Sequence, residues 1–243
     1  NIAYIDIETT CEDGFPSIED PTEQVIAITM VMNDTRVCWG LGTFDVDGID
    51  CRCFDDEKQL LDDFLGEWES NHPHIITGWN VRFFDIPYLV RRIERLFGDK
   101  EAKRFSPWKM VRERTIKIRN RDELAYEIVG VATLDYLELY RNYTFTNQES
   151  YKLDHISYVE LGEKKLSYEE YGSIASFYKQ NFQKFIEYNI RDVDLVCKLE
   201  DKLRLMELNA SVAYLAKCNY EDVFSQVRTW DCIIHSHLYY QNI

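Results

Sequence analysis

The run Ile2-Ala3-Tyr4-Ile5-Asp6-Ile7-Glu8 near the start of the chain is apolar and β-rich except for its two acids. In a strand, a spacing of two puts Asp6 and Glu8 on the same face, so two anions share one small patch at the end of an otherwise buried strand. Working outward, Val25 to Met32 and Thr35 to Leu41 read as a hairpin around Asn33-Asp34. Leu60, Leu61, Phe64, Leu65 and Trp68 fall at helical spacing within 56–70, and a short apolar strand, His74 to Thr77, and a helix from about Ile86 to Phe97 follow. Strand alternating with helix predicts an α/β core. Thr115 to Arg119 and Leu124 to Val129 flank the polar turn Asn120 to Glu123 as a second hairpin. From Asp135 onward nearly every apolar pattern is helical. With no linker, repeat or low-complexity tract in 243 residues, one domain over 1–243 is expected.

The composition suits such a body. Hydrophobic residues make up 45% and aromatics 14%, with 10 Gly and 5 Pro, which excludes a disordered chain, a collagen-like chain and a small disulfide scaffold. A net charge of -15 argues against sheathing a nucleic-acid backbone non-specifically. The charge is unevenly spread, however. From Lys100 to Arg121 nine basic residues face two acids, a local +7 that reads either as a solvated face or as a phosphate-binding stripe. No window approaches 18 uninterrupted apolar residues, and the N-terminus lacks the sections of a signal peptide, so a cytoplasmic protein without a membrane partner is expected. Seven cysteines without a Cys-x-x-Cys unit read as reduced thiols. A start without Met directly on a strand, and an end just after an apolar stretch, read as a piece of something longer.

Two further acids stand where they cost energy. Asp85 precedes Ile86-Pro87 and so lies at a helix N-terminus, where simple capping is the alternative reading. Asp192 lies on the stripe Phe185, Tyr188, Asp192, Val196, Leu199, Leu203, whose steps of three and four mark one face of a helix, and Tyr188 is one turn before it. An acid on a core face is costly unless paired or metal-bound. If Asp6, Glu8, Asp85 and Asp192 converge, each like-charge pair at about 4 Å costs roughly 4 kcal/mol at an effective dielectric near 20. No Lys or Arg is interleaved to offset that. Divalent cations do so economically, and all-oxygen ligands favour Mg2+ or Mn2+. Two such ions suit phosphoryl chemistry, one activating water and the other stabilising the leaving oxygen. Zinc at Cys51-x-Cys53, His72-x-His74 or His235-x-His237 is disfavoured by spacing.

At these residues the chain resembles the 3′-to-5′ exonuclease domain of family B DNA polymerases, most closely those of T-even-like bacteriophages. The first motif of that domain reads Tyr4-Ile5-Asp6-Ile7-Glu8-Thr9-Thr10, the second Gly78-Trp79-Asn80-Val81-Arg82-Phe83-Phe84-Asp85-Ile86-Pro87-Tyr88, and the third Tyr188-Asn189-Ile190-Arg191-Asp192. Each is weak alone, and three in the right order are strong. The likeness extends to Asp13-Gly14-Phe15-Pro16, Leu134-Asp135-Tyr136, Phe145-Thr146-Asn147-Gln148, Ser150-Tyr151-Lys152-Leu153-Asp154, Lys165-Leu166-Ser167-Tyr168 and Thr229-Trp230-Asp231. Tyr rather than His before the last Asp selects one branch of the wider superfamily.

The resemblance implies an RNase H-like fold: a mixed central sheet flanked by helices, with an inserted β-hairpin at about 114–130 that helps separate primer from template. It implies Asp6, Glu8, Asp85 and Asp192 as ligands of two Mg2+ or Mn2+ ions, with Asp6 bridging them, and Tyr188 as the group that orients the attacking water. By the same likeness Asn80 and Phe84 line the strand groove, Lys165 and Tyr168 hold the single strand, and Phe15 stacks on a base. The alternative for Phe15 is a core anchor, and for Lys165 and Tyr168 a plain exposed helix start. The implied reaction is proofreading hydrolysis of a single-stranded or frayed primer 3′ end, within a longer polymerase that also meets primer-template DNA and a sliding clamp. RNA as substrate, or a non-catalytic single-strand-binding role, is the competing reading. The intact acids and Tyr188 favour catalysis, and the palm motifs needed for nucleotide addition are not found in the chain.

Overall fold

Burial alternates residue by residue along β1, Ile2–Thr9, in the computed structural model, which describes residues 1–12, 14–118, 121–166 and 169–241. Ala3, Ile5 and Ile7 point into one core while Tyr4, Asp6 and Glu8 occupy the opposite face. The alternation anticipated from the sequence is thus the period-2 pleat itself. β2, Val25–Met32, and β3, Thr35–Leu41, form the expected hairpin, with Asn33 at φ 54° in the left-handed region that Asn tolerates in tight hairpin turns. β4, Asp50–Phe54, runs parallel to β3 and leads into α1, Glu57–Ser70, whose N-cap Asp56 accepts a hydrogen bond from the Gln59 N–H.

β5, Ile75–Thr77, lies parallel to β1, and α2, Asp85–Phe97, follows it with Pro87 in the first turn, where a missing N–H costs nothing. A one-turn helix α3, Asp99–Ala102, leads to the inserted hairpin of β6, Val111–Ile118, and β7, Arg121–Ile128. β8, Ala132–Thr133, then pairs with β5, and the remainder is helical: α4, Tyr136–Tyr143; α5, Leu153–Leu161; α6, Ile174–Gln180; α7, Phe182–Leu203; α8, Leu205–Ala216; and α9, Gln226–Tyr240. The six-stranded sheet has the order β4-β3-β2-β1-β5-β8 and is mixed, because β1 is antiparallel to β2 but parallel to β5.

Two layers of side chains sandwich this sheet. α1 and α2 cover the Ala3, Ile5, Ile7 face through Leu61, Phe64, Trp68, Leu89 and Ile93. On the other face Tyr4 packs near Leu195, Val196 and Leu199 of α7, and further along the same helix Phe185 and Ile186 meet Ile26 and Ala27 of β2. α7 therefore lies across the face that carries Asp6 and Glu8.

Two expectations need correction. The hairpin strands begin and end earlier and pair more tightly than expected, with Ile118 opposite Arg121 and Lys117 opposite Asp122, so part of the anticipated turn belongs to β7. Opposite charges face each other across this ladder, which lets a polar sequence pair as strands. Nor is the +7 stretch a bare cationic stripe. Arg104 reaches Asp62 at 2.8 Å and Glu69 at 2.7 Å, Lys109 also pairs with Glu69, and Arg114 pairs with Glu127. The compensating acids come from α1 and β7, brought in by folding. Of that stretch, Arg119 lies outside the described residues.

Candidate active site

Strand geometry brings Asp6 and Glu8 to one face, and helix geometry aims Asp192 at them. Along α7, Phe185, Tyr188, Asp192, Val196 and Leu199 are buried as the stripe requires, while Glu187 and Asp201 stay exposed. Among the described residues, Asp6, Glu8 and Asp192 are the one group of three or more His, Cys, Asp or Glu whose ligand atoms all lie within 4.8 Å of one another. The paired Cys and His of the zinc reading form no such group, and the described cysteines are free thiols.

Asp85 arrives by a different route. Gly78 follows β5 closely against β1, and a Cβ there would lie 2.4 Å from the Ile5 carbonyl oxygen, so only glycine permits the approach. The chain then turns through Asn80, at φ 70°, into α2. Asp135, fully buried at the N-cap of α4, pins this turn by accepting from the backbone N–H groups of Asn80 at 3.2 Å and Arg82 at 3.0 Å. Asp85 opens α2, but its Oδ1 accepts from the Ile7 N–H at 3.0 Å, and its carboxylate stands outside the three-acid group. It is neighbour to that group electrostatically, since it helps raise the Asp6 pKa.

The titration directions report how crowded the site is. Burial, followed by repulsion from Asp85, Asp192 and Glu8, pushes Asp6 well above the ordinary carboxylate range. Burial and then Asp192 push Glu8 up to about 8, against the pull of Lys165. Burial raises Asp85 to about 7 although the Ile7 N–H opposes it, and raises Asp192 to about 6 although Lys165 opposes it. The phenol of Tyr188 is likewise pushed up, first by burial.

Lys165 is the cation that local sequence did not show among the acids. Its ammonium pairs with Asp192, donates to Tyr188 Oη at 3.2 Å and lies 5.0 Å from the centre of the Tyr188 ring. It is not on an exposed helix start, because its backbone N–H is held by Asp154 and its side chain is 24% exposed. Even so, Asp192 Oδ1 is buried without a hydrogen-bond partner. A cleft of about 870 Å³ opens here, lined by Asp6, Asn80, Lys165, Tyr188 and Asp192 among others.

The remaining expected groups divide. Phe15 is 86% exposed, so it is no core anchor, and its ring lies 5.4 Å from that of Phe84, which stacks in turn on Tyr88. Phe15 and Phe84 do not line the 870 Å³ cleft. Tyr168 lies outside the described residues. Sequence reasoning gave no role to Asn189, fully buried on α7, whose Nδ2 donates to Asp6 Oδ2 at 2.7 Å, nor to Asp135. The available signal for Asn189 was a neutral polar residue one turn after Phe185 and three residues before Asp192, on a stripe otherwise meant for the core.

Comparison with known proteins agrees with this architecture. The family model described as "DNA polymerase family B, exonuclease domain" matches residues 1–156. The DNA-directed DNA polymerase of Escherichia phage RB69 is 36% identical across 99% of this chain and 30% of its own length. That of Enterobacteria phage T4 is 38% identical across 76% of this chain and 20% of its own. A DNA polymerase catalytic subunit of Human herpesvirus 8 is 26% identical across 97% of the chain and 25% of its own length. The chain thus spans less than a third of the length of these relatives. Among the described residues no helix is long and apolar enough to cross a membrane. Motif order, sheet topology and the family match converge: the chain belongs to the family B DNA polymerases, as their exonuclease domain.

Proposed function

We propose that the chain hydrolyses 3′-terminal nucleotides from single-stranded or frayed primer DNA, as the proofreading domain of a DNA-directed DNA polymerase in the cytoplasm of a phage-infected cell. The observation that carries this reading is the group Asp6, Glu8 and Asp192, whose ligand atoms lie within 4.8 Å while Asp192 Oδ1 is buried with no partner. A cluster of carboxylates that one lysine does not balance, with a buried oxygen left without a partner, is a donor set that hard divalent cations take. Asp6, Glu8 and Asp192, with Asp85 beside them, would hold two Mg2+ or Mn2+ ions. Such ions supply positive charge to the phosphoryl group as negative charge builds on it.

The chain's own groups do the rest. Water attacks the terminal phosphorus, the bond to the neighbouring O3′ breaks, and the products are a 5′-monophosphate and a strand ending in a new 3′-hydroxyl. Tyr188, kept protonated at neutral pH by burial, orients that water by donation rather than removing its proton. Lys165 holds the phenol oxygen through its ammonium and so fixes where the phenol sits. Asn80 lines the strand's path, and Phe15, exposed beside the half-buried Phe84, presents ring surface on which any base stacks. The polymerase body, primer-template DNA and a sliding clamp are the partners in this reading, met through the two-thirds or more of the relatives' length that the chain does not span.

The test is release of labelled mononucleotide from 3′-labelled single-stranded DNA, beside RNA of the same sequence, with Mn2+ or with EDTA and beside Asp6→Ala. Release that depends on Mn2+ and on Asp6, and that prefers DNA, is expected. Equal release with EDTA or by the variant would overturn the reading.

A further inference from the structure

We propose that Asn189 is a positioning residue for Asp6, anchored by the hydroxyl of Thr29, and that this relay sets the site's affinity for divalent cations. The inference rests on the metal-dependent reading above and deepens it. Asp6 of β1 pairs directly with Thr29 of β2, and Thr29 with Cys38 of β3, so three strands present one polar row beneath α7. Asn189 sits over this row with no exposed surface. Its Nδ2 donates to Asp6 Oδ2 at 2.7 Å, and its Oδ1 accepts from the Thr29 hydroxyl, which itself lies 3.4 Å from Cys38 Sγ.

The chemistry assigns each atom. An ionised carboxylate only accepts, so the amide must turn its nitrogen to Asp6, and its buried oxygen then needs a donor. The Thr29 hydroxyl meets that need. A neutral amide also differs from the ammonium at Asp192: it fixes one oxygen of Asp6 without cancelling the charge that a cation requires. α7 thus contributes Asp192 itself and, three residues earlier, the group that aims Asp6. A hydrophobic residue would fill the same core position with no amide to satisfy, so the polar choice has a cost that packing alone does not explain.

Groups that orient metal-binding carboxylates through hydrogen bonds are worth about 10- to 100-fold in metal affinity. The test is a Mn2+ titration of the whole chain, reading free Mn2+ by electron paramagnetic resonance, for wild type, Asp6→Ala, Asn189→Leu and Thr29→Val. Circular dichroism checks the fold of each. Asn189→Leu is expected to bind Mn2+ about 10- to 100-fold more weakly, and Thr29→Val more weakly by a smaller factor, with excess Mn2+ restoring nucleotide release. A folded Asn189→Leu that binds Mn2+ like wild type overturns the relay while leaving the metal site intact. Wild type that binds no more tightly than Asp6→Ala removes the metal reading and the relay with it. Should Asn189→Leu fail to fold, Thr29→Val decides, because it keeps every carboxylate and the amide; unchanged affinity there overturns the relay.

Discussion

The face of β1 under α7 and the segment before the hairpin, where Arg104 and Lys109 meet α1, are both dense in charge, but they are charged differently. At the first, Asp6, Glu8 and Asp192 converge with Lys165 as counter-charge, and all three acids are pushed above their ordinary pKa. At the second, Arg104 and Lys109 meet Glu69, and although burial opposes it they hold that carboxyl below its ordinary value. Acids matched by cations stabilise a fold modestly; three acids that share one cation leave charge of one sign for a ligand. The sign of the pKa shift separates the two regions even where the number of acids does not.

The largest effect that sharpens this contrast is expected from Asp192→Ala. Removing an acid that the cations need should lower nucleotide release by about 10³-fold or more, the loss of several kcal/mol of charge stabilisation. Single-turnover assays at saturating enzyme check it, and a loss below 10-fold would place Asp192 with the structural charges. Next comes Phe15→Ala. Loss of a stacking surface worth about 1–3 kcal/mol per base should raise KM for single-stranded DNA by roughly 5- to 150-fold. The melting temperature should not move, since the ring is 86% exposed. A fall in melting temperature with unchanged KM would return Phe15 to a packing role.

The third expectation concerns pH. Folded-state pKa values of about 6, 7 and 8 for Asp192, Asp85 and Glu8 exceed those of an unfolded chain, near 4. Such groups stabilise the fold at low pH and lose that contribution as pH rises through 6 to 8. The EDTA-treated chain should therefore melt at a higher temperature at pH 5.5 than at pH 8, and Glu8→Gln should flatten the slope. Mn2+ should raise the melting temperature most at pH 8. A metal-free melting temperature that climbs with pH would contradict the crowding. The smallest effect is expected at the hairpin: Arg114→Ala with Lys117→Ala should alter single-strand hydrolysis by less than about 2-fold, since exposed pairs are worth only ~0–1 kcal/mol. Primer-template duplex should suffer more if the hairpin parts the strands, and equal effects on both substrates would deny it that role.

Much of this contrast was legible in the sequence, and for definite reasons. Asp6 and Glu8 interrupt an apolar strand at a spacing of two, and Asp192 interrupts a helical stripe, so local periodicity alone exposed them. The charge excess of residues 100–121 was visible, but Asp62 and Glu69, which neutralise part of it, lie 35 or more residues away from Arg104. Lys165 is named by the resemblance as a strand-holding residue, but its pairing with Asp192, across 27 residues, was hidden for the same reason. Thr29 and Asn189 were hidden differently. Neutral polar side chains raise no charge imbalance, and their pairing emerges only when β2 and α7 are laid together. Tyr188 was found by spacing; that Lys165 would steady its phenol was not.

Gly78 carries a consequence of another kind. Where every other residue places a carbon, it places a hydrogen, and Ile5 fills the room that is left. The turn through Asn80 and the start of α2 hang from that contact, so the depth at which Asp85 meets Ile7 is inherited from the smallest side chain in the region. A single methyl at position 78 would act as a wedge, lifting the second acidic motif off the first while leaving every acid in place.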